Sequence, residues 1–133
     1  MRRMAGLVSI VLDCHRAAPL ARFWAVALGW PVRPYDEEEV ARLAALGHTP
    51  DDDPTVALDA PDGTLTMFCV EVPKPKSVKN RMHLDIEVRD RTHFEELKSL
   101  GARIVRVHEQ WVVMTDPEGN EFCVIGAERA WLA

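Results

Sequence analysis

Pro61-Asp62-Gly63-Thr64-Leu65-Thr66-Met67-Phe68-Cys69-Val70 returns, with its spacing shortened by two residues, as Pro117-Glu118-Gly119-Asn120-Glu121-Phe122-Cys123-Val124. Each copy reads as a turn followed by a strand: Pro, an acidic residue and Gly make the turn, and an apolar run with Phe-Cys-Val makes the strand. What precedes each copy repeats as well. In the first half, Leu7 to Asp13 is a compact β-branched run suited to a buried strand. From His15 to Leu28 the apolar residues Leu20, Phe23, Trp24, Ala27 and Leu28 recur at helical spacing, leaving Arg16 and Arg22 for solvent. Pro19 suits the first turn of that helix, and Gly29 is placed to cap its end.

Trp30 to Tyr35 reads as a short strand weakened by Pro31 and Pro34. Asp36 then opens a second helix that runs to Gly47, with Val40, Leu43, Ala44 and Leu46 on it. Asp36 and Glu39 have the spacing of a capping box. Thr55 to Leu58 and Thr64 to Val72 are strands on either side of the Pro61-Asp62-Gly63 turn. In the second half, Met82 to Val88 is a strand, and Arg91 to Leu100 is a helix with Phe94, Leu97 and Leu100 facing inward. Ala102 to Val107, Gln110 to Met114 and Glu121 to Ile125 are three more strands. The expected fold is α+β: paired βαβββ modules whose curved mixed sheet surrounds a cleft, with an extra helix in the first half. One domain spans 1–133, made of module one at 5–73, linker 74–79 and module two at 80–127. A single module leaves one sheet face uncovered, so the two need each other.

Composition narrows the function. The 133 residues suit one domain, with 47% hydrophobic and 28% charged residues as in an ordinary globule. A formal net charge of −5 speaks against nucleic acid as a partner, which requires a basic face. The run from Ala5 to Leu12 is too short to span a membrane and lacks a cleavage signature, so it reads as a strand rather than a leader. Cys14, Cys69 and Cys123 are odd in number and set in apolar runs without a CxxC pair. They read as buried reduced thiols in a cytoplasmic protein.

Alternation in Met82 to Val88 points to a site. Leu84, Ile86 and Val88 share one face; His83, Asp85 and Glu87 share the other. That polar face either lines a cavity, where it can run acid-base chemistry, hold a metal or receive a cationic ligand, or it faces solvent. In the first strand Ser9 and Asp13 lie on the more polar face and are candidates for the same cleft. In the last strand the faces of Glu121, Cys123 and Ile125 against Phe122 and Val124 stay open. Trp30, Trp111 and Met114 are candidate apolar walls, with core packing as the alternative for each. His93 and His108 carry no pattern and read as surface residues.

Three segments carry a resemblance. Leu20 to Trp30 looks like the first helix of the glyoxalase, bleomycin-resistance and vicinal-oxygen-chelate superfamily. Lys79-Asn80-Arg81-Met82-His83-Leu84-Asp85 resembles a segment of its bacterial glyoxalase-like branch. Asp116-Pro117-Glu118-Gly119-Asn120-Glu121-Phe122 is similar to its turn before the last strand. The resemblance implies a homodimer and, in many enzymatic members, a cleft metal held by the first and last strands of each module. Carried over, those ligand positions fall on Ser9, His83, Cys123 and, in module one, Cys69 or Val70. Only His83 suits a divalent ion such as Zn, Mg, Mn, Fe or Ni, so the ligand set looks incomplete and no cofactor is expected. Two substitute sets remain to be tested by structure: Cys69, His83 and Cys123 as a zinc-like site, or Asp13, Glu71 and Asp85 as oxygen ligands. The expected function is binding of a small organic molecule through Ser9, Asp13, Glu87, Trp30, Trp111, Met114 and Cys123. The alternative is an enzyme in which His83 and Asp85 catalyse acid-base chemistry or His83 holds a metal.

Overall fold

The computed structural model describes residues 5–132; the ends of the expected 1–133 domain, 1–4 and 133, lie outside the described residues. The chain runs β1 (Ser9–Cys14), α1 (Ala17–Leu28), α2 (Glu37–Ala45), β2 (Thr55–Asp59), β3 (Thr66–Glu71), β4 (Asp85–Glu87), α3 (Arg91–Ser99), β5 (Arg103–Val107), β6 (Trp111–Thr115) and β7 (Glu121–Ile125), closing on a 3-10 turn at Arg129–Leu132. One sheet has the order β1-β3-β2, the other β4-β7-β6-β5. In each, the first strand lies parallel to the last and the rest form an antiparallel meander. The expected α+β pairing of two related modules forms, and the second is a full βαβββ unit.

The first sheet is one strand short. Of the expected strand Trp30 to Tyr35 only Val32 pairs, bridging Leu58 at the place β5 occupies in the other sheet. Two hydrogen bonds, Arg33 N to Ala57 O (2.8 Å) and Asp59 N to Pro31 O (3.2 Å), flank that bridge. Pro31 and Pro34 have no N–H to extend it, so the ladder stops.

The strand expected from Met82 to Val88 is also shorter, since only Asp85–Glu87 pairs with β7. Asn80 instead donates its backbone N–H to Glu121 Oε2 (2.9 Å), drawing the incoming chain onto a side chain and leaving His83 in the approach to the strand. Alternation survives there: Ile86 and Val88 are buried, while His83, Asp85 and Glu87 are exposed.

The core lies between the helices and the inner faces of the sheets. Phe23 and Trp24 of α1 meet Phe122 of β7 edge-on, with ring centroids 5.9 and 5.1 Å apart, so aromatic packing joins the halves. Gly29 closes α1 in the left-handed conformation (φ 68°), which glycine adopts without a Cβ clash. In α2, Asp36 accepts from Glu39 N (2.8 Å) as expected, but Glu39 does not reach back; its carboxylate pairs with Arg42. Only Leu43 of that helix is buried, and Val40 and Leu46 are exposed.

Two further expectations need correcting. Leu100 is 41% exposed and does not face inward, because α3 ends before it and the inward places go to Phe94 and Leu97. His93 is buried: its Nδ1 accepts from Arg89 N (3.1 Å), which leaves the proton on Nε2 to donate to Val26 O of α1 (2.9 Å). An imidazole with both nitrogens satisfied costs little to bury, and this one ties α3 to α1. His108 stacks on Trp111 with centroids 4.4 Å apart.

Candidate functional site

On β7 the ambiguity of faces resolves. Phe122 and Val124 are wholly buried, which turns Glu121, Cys123 and Ile125 to the opposite, concave side. The parallel register sets Asp85 beside Cys123, and the antiparallel register sets Val113 on its other flank. His83, two residues before Asp85, comes back over the same side, with His83 Nε2 3.3 Å from Asp85 Oδ1. Ligand atoms of His83, Asp85 and Cys123 all lie within 4.8 Å of one another. Around them Lys79, Trp111, Val113, Glu121 and Ile125 complete a pocket of about 380 Å³.

A second pocket of about 470 Å³ adjoins the first, with His83 and Glu121 in both walls. It runs along the seam between the halves. Ser9, Val11 and Leu12 of β1 form one side and Met82, His83 and Leu84 the other, above Trp24 and Met67. Its lining is mostly apolar, with Ser9, Asn80, Asn120, His83 and Glu121 as the polar exceptions.

The electrostatics divide these groups. Desolvation alone would raise the Glu121 carboxyl, but Asn80 N–H and the Lys76 ammonium (2.9 Å) outweigh it and hold it at about 2. Glu121 is therefore a bound anion with both oxygens engaged. Burial, followed by the charge of Asp85 and a hydrogen bond to it, pushes the Cys123 thiol above its ordinary range. Cys14 and Cys69 are each pushed to about 12, chiefly by burial, and thiols so protonated are inert.

Other expected site residues lie elsewhere. Met114 is fully buried in the core and is no pocket wall, since its strand turns it away with Val112. Trp30 is half-buried against the core outside both pockets. Glu87 sits beside Gly126, past the pocket's end. Asp13 borders a neighbouring cavity lined by the 74–82 segment, which reaches neither Asp85 nor Glu87, so no acidic trio of Asp13, Asp85 and Glu87 assembles. Cys69 has no exposed surface and lies on the helix-facing side of β3 with Met67, removing it from any zinc-like set. The oxygen set of Asp13, Glu71 and Asp85 is not gathered either, as Glu71 accepts from Ala17 N (3.0 Å) at the start of α1.

Register also corrects the position carried over for module one. Val11 pairs with Phe68 as Asp85 pairs with Cys123. The counterpart of Cys123 is therefore Phe68, not Cys69 or Val70. The Phe-Cys-Val echo is out of phase by one residue, and a one-residue slip exchanges the faces of a strand.

The turn Asp116 to Asn120 does more than connect strands. Glu118 accepts from His15 N (2.7 Å) and Arg16 N (2.9 Å), covering the free N–H groups at the entry to α1. Asp116 is buried and accepts from Trp24 Nε1 (3.0 Å), Asn120 N (2.9 Å), Glu118 N (2.9 Å) and Asn120 Nδ2. Burial nonetheless raises its carboxyl, these hydrogen bonds opposing the shift. The sequence shows only turn composition here; partners about a hundred residues away leave no local pattern.

Residues 9–125 match the family model described as the glyoxalase-like domain. The chain belongs to that family. The glyoxalase-like chain is also similar in structure to the fosfomycin resistance protein FosX from Listeria monocytogenes, with a TM-score of 0.63 at 10% identity, covering 97% of this chain and 96% of that one. A glyoxalase-related enzyme from Fulvimarina pelagi gives 0.62 at 15% identity, covering 92% and 88%. A variant of the Listeria FosX complexed with Mn(II) and 1S,2S-dihydroxypropylphosphonic acid gives 0.61 at 12% identity, covering 97% and 95%. At such identities the likeness is one of fold, that of the vicinal-oxygen-chelate superfamily. Comparison with curated proteins finds no sequence match.

The four-ligand centre implied by the superfamily does not fit this glyoxalase-like chain. Its positions carry Ser9, Phe68, His83 and Cys123, of which a phenyl ring cannot ligate and a serine hydroxyl ligates poorly.

Proposed function

We propose that this glyoxalase-like protein binds a small organic molecule along the seam between its halves, without the superfamily's four-ligand metal centre. The observation that carries this reading is the apolar seam pocket of about 470 Å³ opening onto the His83–Asp85 pair. A concave apolar trough ending in a few fixed polar groups is what small-molecule recognition uses. The ligand has an apolar body, laid against Val11, Leu12 and Leu84, and a hydrogen-bonding head directed at His83 and Asp85. Glu121, already paired, adds little charge, so the head is recognised by hydrogen bonds more than by net attraction.

The protein acts in the cytoplasm as a homodimer. Support for the dimer is the exposure of Leu7, Val11 and Met82 along the seam rim, apolar surface that a second copy would cover. Among the described residues no helix is long and apolar enough to cross a membrane. Native mass spectrometry of protein purified from cells tests the proposal: an organic mass retained by the wild type and lost in Val11→Trp, which fills the seam, supports it. A bare chain, with no thermal shift from a panel of aromatic amines, phosphonates and hydroxy acids, overturns it.

A second reading, acid-base catalysis, is favoured by the 3.3 Å contact of His83 Nε2 with Asp85 Oδ1. A carboxylate so placed orients the imidazole for proton transfer to a bound carbonyl or enol. Turnover unaffected by His83→Ala excludes it.

A further inference from the structure

We infer that His83, Asp85 and Cys123 form a three-ligand site for a borderline divalent cation of zinc-like character, built entirely within the second half. Three observations carry this. The ligand atoms lie within 4.8 Å of one another. Donors around a tetrahedral ion with bonds of about 2.0–2.3 Å stand roughly 3.3–3.8 Å apart, so modest side-chain rotation closes the set. His83 and Asp85 are exposed, and their side chains already stand 3.3 Å apart. The backbone fixes the rest: Asp85 and Cys123 are paired across β4 and β7, neighbouring strands about 4.8 Å apart, and His83 precedes Asp85 on the same side.

The third observation is the separation of roles among the pocket's acids. Glu121 is held by Lys76 and Asn80, which leaves Asp85 as the carboxylate available to an ion. Cys123 at the floor supplies a sulfur ligand, 7% exposed and flanked by Val113 and Ile125. One imidazole, one carboxylate and one thiolate select zinc-like ions over Mg(II) or Mn(II), which prefer all-oxygen shells. Three protein donors leave a coordination position open towards the pocket for water or a ligand atom. Phe68 and Ser9 take no part, so the site departs from the two-module arrangement implied by the superfamily. It shares His83 and Asp85 with the organic-ligand reading, yet the two fail separately: a chain that takes up metal but retains no organic molecule keeps this inference and loses that one.

Titration of the chelator-treated full chain with Co(II) alone tests it. The expected result is one equivalent bound, with the near-ultraviolet thiolate-to-cobalt absorption that marks a sulfur ligand. That absorption disappears in Cys123→Ser and persists in Cys69→Ser. Zn(II) displaces the cobalt at equimolar concentration, whereas Mn(II) in large excess does not. Asp85→Asn, which replaces an exposed side chain and leaves the fold intact, weakens cobalt binding at least about tenfold. Titration without the thiolate absorption, or absorption unchanged in Cys123→Ser, overturns the inference. So does equal competition by Mn(II).

Discussion

The two halves share a topology and differ in what they place on the concave side. Where the second half presents Asp85, Cys123 and Val113, the first presents Val11, Phe68 and Ala57. Where the second completes four strands, the first yields to a proline-flanked bridge at Val32 and adds α2. The helices differ too. α3 is capped by its own Asp90, which accepts from His93 N (2.8 Å), and α2 by Asp36. The N-cap residue of α1, Arg16, makes no side-chain cap; its N–H groups are satisfied by Glu118 and Glu71 from distant strands and turns. One half thus supplies polar chemistry and turn anchors, and the other supplies the central helix and an apolar wall. Duplication sets the frame; divergence of faces sets the function.

The sharpest way to break this division of labour is Asp116→Ala. It strands Trp24 Nε1 and the turn N–H groups in the interior, and losing charge-assisted bonds to buried donors costs about 3 kcal/mol. Urea unfolding measures it; a loss under 1 kcal/mol (about one weak hydrogen bond) would mean the halves are not joined there. Next in size is the contrast of caps. Glu118→Ala removes the acceptor of two N–H groups across the halves and is expected to cost about 2 kcal/mol, against about 1 kcal/mol for Asp90→Ala within α3. Equal values would show that the cross-half cap is worth no more than a local one.

Acid titration separates the halves further. Glu121 titrates at about 2 in the folded chain against an ordinary 4.5. Because the folded value is the lower, its contribution is full above the ordinary value and declines as pH falls from there towards 2. Wild type should lose stability over that window faster than Glu121→Gln, as followed by thermal melts at stepped pH; parallel curves would show that Asn80 and Lys76 do not hold the carboxylate in solution. The smallest effect is expected at α2. Asp36→Ala removes its one cap bond, but the helix buries only Leu43, so the loss is at most about 1 kcal/mol and the pocket on the second half is untouched.

Sequence by itself determined the plan. The Pro-x-Gly echo, the helical stripe through Phe23 and Trp24, and the alternation from His83 to Val88 are local periodicities, and local periodicity dictates which face of each element is apolar. They foretold two βαβββ halves and a polar front on the strand of Asp85. Which groups meet on that front was decided by tertiary structure alone. Strand register is a property of pairs of strands, so only the fold could reveal that Phe68 answers Cys123 and that the apparent Phe-Cys-Val repeat is out of phase. Likewise Met114 and Cys69 turned inward, and Asp13 and Glu87 fell outside the pocket. His93, without any sequence pattern, became a buried link because Arg89 N and Val26 O satisfy both ring nitrogens. Periodicity belongs to a segment, whereas convergence belongs to the packed chain, and the site is a matter of convergence.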